Sequence, residues 1–454
     1  MTRKGLLVAQ AALVSAVLLV LGACGGTPTP SGGGGATSSP QADVGNVEFL
    51  SSQAQPVNEA EGMRRQVLTA FNGKVDFNSS LTGAQMVSKI QADHQAGKST
   101  IDVVGDLHGD LVAMKSTGGL TDLTPLMQRL GKDRKFNSTL VNYGKLGTDK
   151  QYYIPWIQAT YMMVVNKKAL QYLPKGVDVN NMTYDQLIQW GENMQKGTGE
   201  KKIGLPDAPG TRGGLINRFI QGYLYPSYTG GEVTGFKSKE AVEMWSSMRR
   251  LWAVTSAQST NYSMMQDPLQ SGEVWVAWDH QARLIDALKN SPDQFQAVPA
   301  PVGPKGLGFM SVVVGLAIPQ GAPNVKGAEA LIDYLTKPDT QKKTTGVVGF
   351  FPALTNVTVT GGDAPPGVGA EAVAAAKQVS NKKALPALLP VGLGAKDSEF
   401  SLAYVDSFTR IVLHNEDTQS VLNDEAKSLQ SLLNTAKVPC WPPDPVSTGT
   451  CQIK

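Results

Sequence analysis

The chain has 454 residues, with 41 Lys and Arg against 38 Asp and Glu. Near-balanced charge, with no basic stripe and no aromatic-interleaved basic patch, excludes the usual signature of nucleic-acid binding. An apolar fraction of 41% suffices for two packed lobes of ordinary domain size, and nothing after residue 24 resembles a transmembrane helix.

A short basic start (Arg3, Lys4) leads into an apolar run over 6–21 and then Leu21-Gly22-Ala23-Cys24. The run is shorter than the roughly 20 residues a membrane span needs, and Gln10 and Ser15 interrupt it. Residues 1–23 therefore read as an export signal ending in small residues. Leu-x-Ala before a cysteine resembles the bacterial lipobox, which implies lipidation of Cys24 as the first mature residue. An ordinary signal peptide with an incidental cysteine is the alternative. Residues 24–45, rich in Gly, Ser, Thr and Pro, read as a flexible linker with nothing to bury. As a coil, about 20 such residues span some 25 Å.

Asn46-Val47-Glu48-Phe49-Leu50 reads as a strand ending in Ser51-Ser52-Gln53, followed by a helix over about 59–71. A strand at 74–77, a helix at 84–96, a strand at 101–104 that breaks at Gly105, and a helix at 110–116 continue the alternation. Strand and helix in turn predict a parallel sheet with crossover helices, whose ligands bind beyond the carboxyl ends of the strands. Ser51–Gln53 and Asp106–Asp110 stand at those ends. Two β-rich stretches follow, 152–154 and 160–165, divided by Pro155-Trp156-Ile157-Gln158. Thr183-x-x-Gln186 is a capping box, with Met182 and Leu187 as the hydrophobic staple. Ser238 is expected to cap a long helix, 274–278 and 311–318 to be strands, and the rest mostly helix around 325–346, 369–380, 400–413 and 417–436.

Of three cysteines, Cys440 and Cys451 remain after Cys24 is set aside, with ten residues between them in a Pro-rich tail. An even, close pair in an exported protein reads as a disulfide, worth roughly 2–3 kcal/mol in the chain-entropy model. No His or further Cys stands near enough for a metal site there.

Several segments, in order, resemble the bacterial extracellular solute-binding protein family 1, the maltose-binding-protein-like sugar receptors of ABC importers. They are Ile101-Asp102-Val103-Val104-Gly105-Asp106 followed by Gly119-Leu120-Thr121-Asp122-Leu123; Tyr153-Ile154-Pro155-Trp156 followed by Tyr161 to Lys167; and Met182 to Leu187. Ser271 to Trp278, Gly315 to Pro319 with Ala328 to Leu335, and Gly349-Phe350-Phe351-Pro352-Ala353 complete the set, which spans about 46–355. Tyr153 stands where the family has Gly.

The resemblance implies an α/β, two-lobed periplasmic-binding-protein fold, type II-like, each lobe a mixed sheet flanked by helices and joined by crossing hinge segments. Lobe one would comprise 46–157 and 305–350; lobe two, 160–304 and 355–454. It further implies a carbohydrate ligand, an ABC permease as partner, membrane attachment through the lipid anchor, a monomer, no cofactor, no metal and no nucleic acid.

A sugar offers hydroxyls at its rim and C–H patches on its faces, so its site needs planar polar groups and stacking rings. Candidates at the expected strand ends and crossings are Gln53, Asp106, Trp156, Gln158, Trp278, Asp279, Phe309 and Phe351, joined by Arg212 between two glycines and Tyr225 in the aromatic run Phe219, Tyr223, Tyr225, Tyr228. Trp156 reads equally as core, Asp106 nearly as well as a helix cap, and Arg212, between glycines, slightly better as a solvated turn. The four histidines are scattered, and neither a Gly-x-Ser-x-Gly elbow nor a P-loop lysine occurs. The expectation is therefore a receptor and not an enzyme. Its rivals are a receptor for an amino acid, polyamine or metal chelate, a surface glycoside-active enzyme, and a scaffolding lipoprotein.

Overall fold

The computed structural model describes residues 44–206, 215–361 and 364–454. The strands run β1 (Asn46–Ser51), β2 (Lys74–Asn78), β3 (Val103–Leu107), β4 (Ile154–Ala159) and β5 (Tyr161–Asn166). After them come β6 (Ile203–Gly204), β7 (Val276–His280), β8 (Phe295–Val298), β9 (Leu307–Ala317), β10 (Phe351–Pro352) and β11 (Ala384–Leu388).

β1, β2 and β3 are parallel, with β1 in the middle, so their carboxyl ends share one edge. The connections between them carry helices, as the alternating pattern requires. The helix Gly83–Gln95 starts at a Thr82–Gln85 capping box. Beyond β3 the sheet continues through antiparallel β9, then β4, then β10. A second sheet has the order β6-β7-β5-β8. Its helices include Tyr184–Thr198, capped by the Thr183–Gln186 box, and Lys239–Ala253, capped by Ser238.

Several segments differ from the sequence pattern for identifiable reasons. β3 does not break at Gly105 but runs through it to Leu107, because Val104–Leu107 pair antiparallel with Val314–Ala317 of β9. β9 itself starts at Leu307 rather than 311, its first residues being paired with β11. Pro155 does not divide two strands but lies within β4, where the register against β9 shifts between Pro155 and Ile157. A bulge tolerates the missing N–H that a regular ladder would not. β7 begins two residues later than its apolar run suggests, which puts Asp279 and His280 inside the strand. The strand β11, unmarked in the sequence, pairs in parallel with Leu307–Ser311 of β9.

The two sheets meet where the chain passes between them. β4 runs into β5 through Thr160. Its N–H donates to Gln281 Oε1 (3.1 Å) and its hydroxyl to the Met310 carbonyl (2.8 Å). Gln281 Nε2 in turn donates to the Gly349 carbonyl at 2.6 Å. Three crossings, at Thr160, Met310 and Gly349, are thus tied by two buried polar side chains. Such groups are costly to bury unless fully paired, so this junction is strongly specified. Residues next to this junction, Tyr161, His280, Val312 and Phe350, face the space between the lobes.

Candidate functional site

A cavity of about 920 Å³ opens between the carboxyl ends of β1–β3 and the second lobe. One wall is the Ser52–Pro56 loop after β1, with Ser79, Ser80 and Thr82 after β2 and Leu107 at the end of β3. These are the positions where a parallel sheet leaves backbone and side chains unpaired for a ligand. The facing wall carries Asn217 and Arg218, then His280 and Arg283 at and beyond the end of β7, then Asp397 and Ser401. Tyr161, Val312, Phe350 and Leu389 line it as well. Leu389 reaches it because Gly109 admits the next loop: a Cβ there would lie 1.9 Å from the Pro390 carbonyl oxygen.

The aromatic lining is built in layers. Tyr161 stacks on Trp278 at 4.9 Å and 8°, and His280 meets the Tyr161 ring edge-on at 5.1 Å. Burial, reinforced by Arg283, lowers the His280 pKa to about 3, so the imidazole is neutral. Its Nδ1 accepts the Ala282 N–H at 3.2 Å, which leaves Nε2 as the protonated nitrogen. Opposite Arg283, burial raises the Glu59 carboxyl to about 7 against the partial pull of that guanidinium. Arg218 reaches Gln221 Oε1 at 3.2 Å and Asp397 only at 3.8 Å.

Behind the first wall lies a pair of buried acids. Asp106 accepts from the Ser52 hydroxyl and from the Leu107 N–H. Burial raises it to about 6, and burial plus the Asp106 charge raises Asp110 well above the carboxylate range. Among the described residues no group of three or more His, Cys, Asp or Glu is placed to hold a metal ion.

Of the residues singled out from the sequence, Gln53 stands on the cavity wall, and Asp106 sits directly behind it. The others described are off the lining. Trp156 is buried against Phe49 in the first lobe. Gln158 donates to the Pro352 carbonyl at 2.8 Å and ties β4 to β10, where Phe351 also lies. Tyr225 is core, its hydroxyl on the Phe236 carbonyl. Trp278 is one layer beneath Tyr161, and Asp279 accepts the N–H groups of Met265 and His280. Phe309 pairs with Pro386 on β11. Arg212 and Cys24 lie outside the described residues.

The sequence reading did not single out Glu59, Asn217, Arg218, Arg283, Asp397 or Ser401. The β7 register supplies part of the missing signal, since a start two residues later moves attention from Trp278 and Asp279 to His280 and Arg283. Asp397 and Ser401 carry no local signal; only folding brings them across from β1.

Among solved structures, the maltose-bound MalE3 of T. maritima superimposes with a TM-score of 0.68 at 19% identity, over 86% of this chain and 100% of that one. UgpB of Mycobacterium tuberculosis, in complex with glycerophosphocholine, gives 0.66 at 18%, over 86% and 98%. The GacH receptor of Streptomyces glaucescens, solved unliganded and with acarbose, gives 0.64 at 17%, over 86% and 98%. At these identities the likeness shows the fold, two mixed-sheet lobes flanked by helices. No curated protein matches the sequence. The family model for bacterial extracellular solute-binding proteins matches residues 56–342, well over half of the chain, and this protein belongs to that family.

Proposed function

We propose that this protein is a lipid-anchored receptor that binds a mono- or oligosaccharide between its lobes and delivers it to the permease of an ABC importer. The observation that carries the reading is the composition of the cavity. Its rim bears amides and hydroxyls (Gln53, Ser79, Asn217, Ser401), and its aromatic layer is Tyr161 over Trp278. Planar hydrogen-bonding groups suit sugar hydroxyls, and a stacked ring suits a sugar face. A volume of about 920 Å³ lies near the upper end of small-molecule sites and accommodates more than one ring. Maltose and acarbose in the neighbours support the same class of solute.

In this reading lobe one takes 46–157 and 305–350, lobe two takes 160–304 and 355–454, and β11 sits at the junction. Closure about the Thr160 crossing buries the solute, and no bond is made or broken. The acylated Cys24 and its linker hold the receptor at the outer face of the cytoplasmic membrane. A second reading has a specific observation behind it: two guanidiniums, Arg218 and Arg283, line one wall. That favours a solute with an anionic group, of which the glycerophosphocholine held by UgpB is one example.

A thermal-shift screen over maltose, galactose, chitobiose, glycerophosphocholine, amino acids and polyamines separates these readings. A solute at a hundred times its Kd stabilises the folded state by about 2.7 kcal/mol. A shift from a neutral sugar supports the first reading. A shift confined to charged solutes rejects it. Oligosaccharides recovered shorter after incubation with the protein would reject a receptor that does no chemistry. Cys24→Ser should move the protein from the membrane fraction to the medium, and unchanged retention would rule out the lipid anchor.

A further inference from the structure

We propose that Ser52 and Asp106 are positioning residues that fix the polarity of Gln53, so that its amide oxygen faces the cleft and selects a hydrogen-bond donor on the solute. Under the carbohydrate reading, on which this part rests, that donor is a sugar hydroxyl.

β1 and β3 pair in parallel with Ser51 opposite Gly105, so the next residues, Ser52 and Asp106, come side by side at the strand ends. The Ser52 hydroxyl has one proton, and it is given to Asp106 Oδ1, which also accepts the Leu107 N–H at 2.8 Å. Ser52 Oγ can then only accept from Gln53, and Gln53 Nε2 lies 2.9 Å away. The NH₂ end of the amide is therefore turned inward, and Oε1 is left for the cavity that Gln53 lines. A second serine holds the backbone: Gln53 N–H donates to Ser51 Oγ at 3.0 Å, and Ser51 Oγ donates to the Gly105 carbonyl at 3.0 Å. Main chain and side chain of Gln53 are each set by the end of β3.

The relay requires Asp106 to accept at Oδ1. A proton on that oxygen would be donated to Ser52, whose own hydroxyl would turn to Gln53 and reverse the amide. Groups around Asp106 favour the accepting form. Asp110, on the helix that follows β3, is held protonated by burial and by the Asp106 charge, so the proton of the pair resides there. Asp397 acts on Asp110 in the same direction, and Arg218 acts against it. His108, also on that helix, is engaged with the Tyr153 hydroxyl at 3.1 Å instead.

The test uses the full mature chain labelled with ¹⁵N-glutamine, without solute, the Gln53 side-chain signal being assigned by its loss in Gln53→Glu. Of the two Gln53 Nε2 protons, the one donated to Ser52 Oγ is expected to exchange about tenfold slower than a free glutamine amide, and Ser52→Ala and Asp106→Ala to abolish the protection. Asp106→Asn keeps a carbonyl acceptor for Ser52 and should retain it, whereas Asp106→Leu, similar in shape but without an acceptor, should lose it; a merely space-filling Asp106 would keep the protection in both. Unprotected Gln53 protons in the wild type, or protection that survives Ser52→Ala, overturns the proposal. If Asp106→Ala does not fold, Ser52→Ala carries the comparison.

Binding of maltose, galactose and chitobiose supplies the second readout. For any of these that binds, Ser52→Ala should weaken it about tenfold and Asp106→Asn less than about threefold. Equal affinity in wild type and Ser52→Ala overturns the selective role. If none of the three binds and only charged solutes do, the carbohydrate reading fails separately, and amide exchange still decides the relay.

Discussion

Glu371 stands on the helix Val368–Val379, fully buried, and neither of its carboxylate oxygens has a hydrogen-bond partner among the described residues. Its helix packs Val368, Ala372 and Ala374 into an apolar cluster with Met162, Val164 and Phe295, which offers the acid nothing polar. Burial alone pushes the carboxyl well above its ordinary value of 4.5. The folded state therefore keeps a proton that the unfolded chain has released. Stability from this group is intact below pH 4.5 and is lost as pH rises toward the folded value, by about 1.4 kcal/mol per pH unit. Even the neutral acid leaves unsatisfied polar atoms, a cost of about 1–3 kcal/mol. Glu371→Met removes both penalties at similar side-chain length. The variant should gain about 1–3 kcal/mol at pH 5 and more at pH 8, measured by urea unfolding at several pH values. Glu371→Gln should remove the pH slope but recover little of the desolvation cost. A Glu371→Met protein that is less stable than wild type at pH 8, or that keeps the wild-type pH slope, would refute the reasoning.

Three further outcomes follow from the packing. Trp278 is 2% exposed and touches Tyr161, Phe219 and Tyr223 within 5.0 Å between ring centres, so Trp278→Ala should cost about 3–5 kcal/mol in chemical unfolding. Full stability with lost solute binding would place it in the contact layer instead. Cys440 and Cys451 are bonded, and replacing both by Ser should lower stability by about 2–3 kcal/mol; an intact mass unchanged by reductant would mean the bond is absent. Asp444 accepts the N–H groups of Glu232, Val233 and Thr234, so Asp444→Ala should cost about 2–3 kcal/mol and loosen the tail, read by melting and by proteolysis after Lys437. An unaltered melt would show that water replaces the carboxylate at no cost.

The C-terminal tail shows how legibility fails with distance. The sequence marks it only as Pro-rich with two cysteines, yet Trp441 Nε1 donates to Glu232 Oε2 at 2.9 Å and Asp444 closes the loop at 231–234. Each partner lies about 210 residues away, and no periodicity encodes such a pairing. The local devices were legible because they are short. The Thr183–Gln186 box, the Ser238 cap and the β1–β3 alternation all follow from neighbours within a few positions. Residues at strand ends were approachable by rule, and Gln53 and Asp106 were reached that way. Trp156 and Tyr225 were not separable by rule, because a large amphipathic ring serves core and cleft equally well, and here both are packed inside.

The sequence by itself determined the alternating α/β architecture and the order of segments that marks the family. Period, caps and composition are properties of adjacent residues, and they survive without a fold. Tertiary structure alone decided which side chains share the cavity. Gln53, His280 and Asp397 meet only because two sheets are joined by three crossings pinned at Thr160 and Gln281. It also decided which end of the Gln53 amide faces the cleft. That polarity is fixed by one serine proton and one buried carboxylate on a neighbouring strand, contacts that exist only once β1 and β3 have paired.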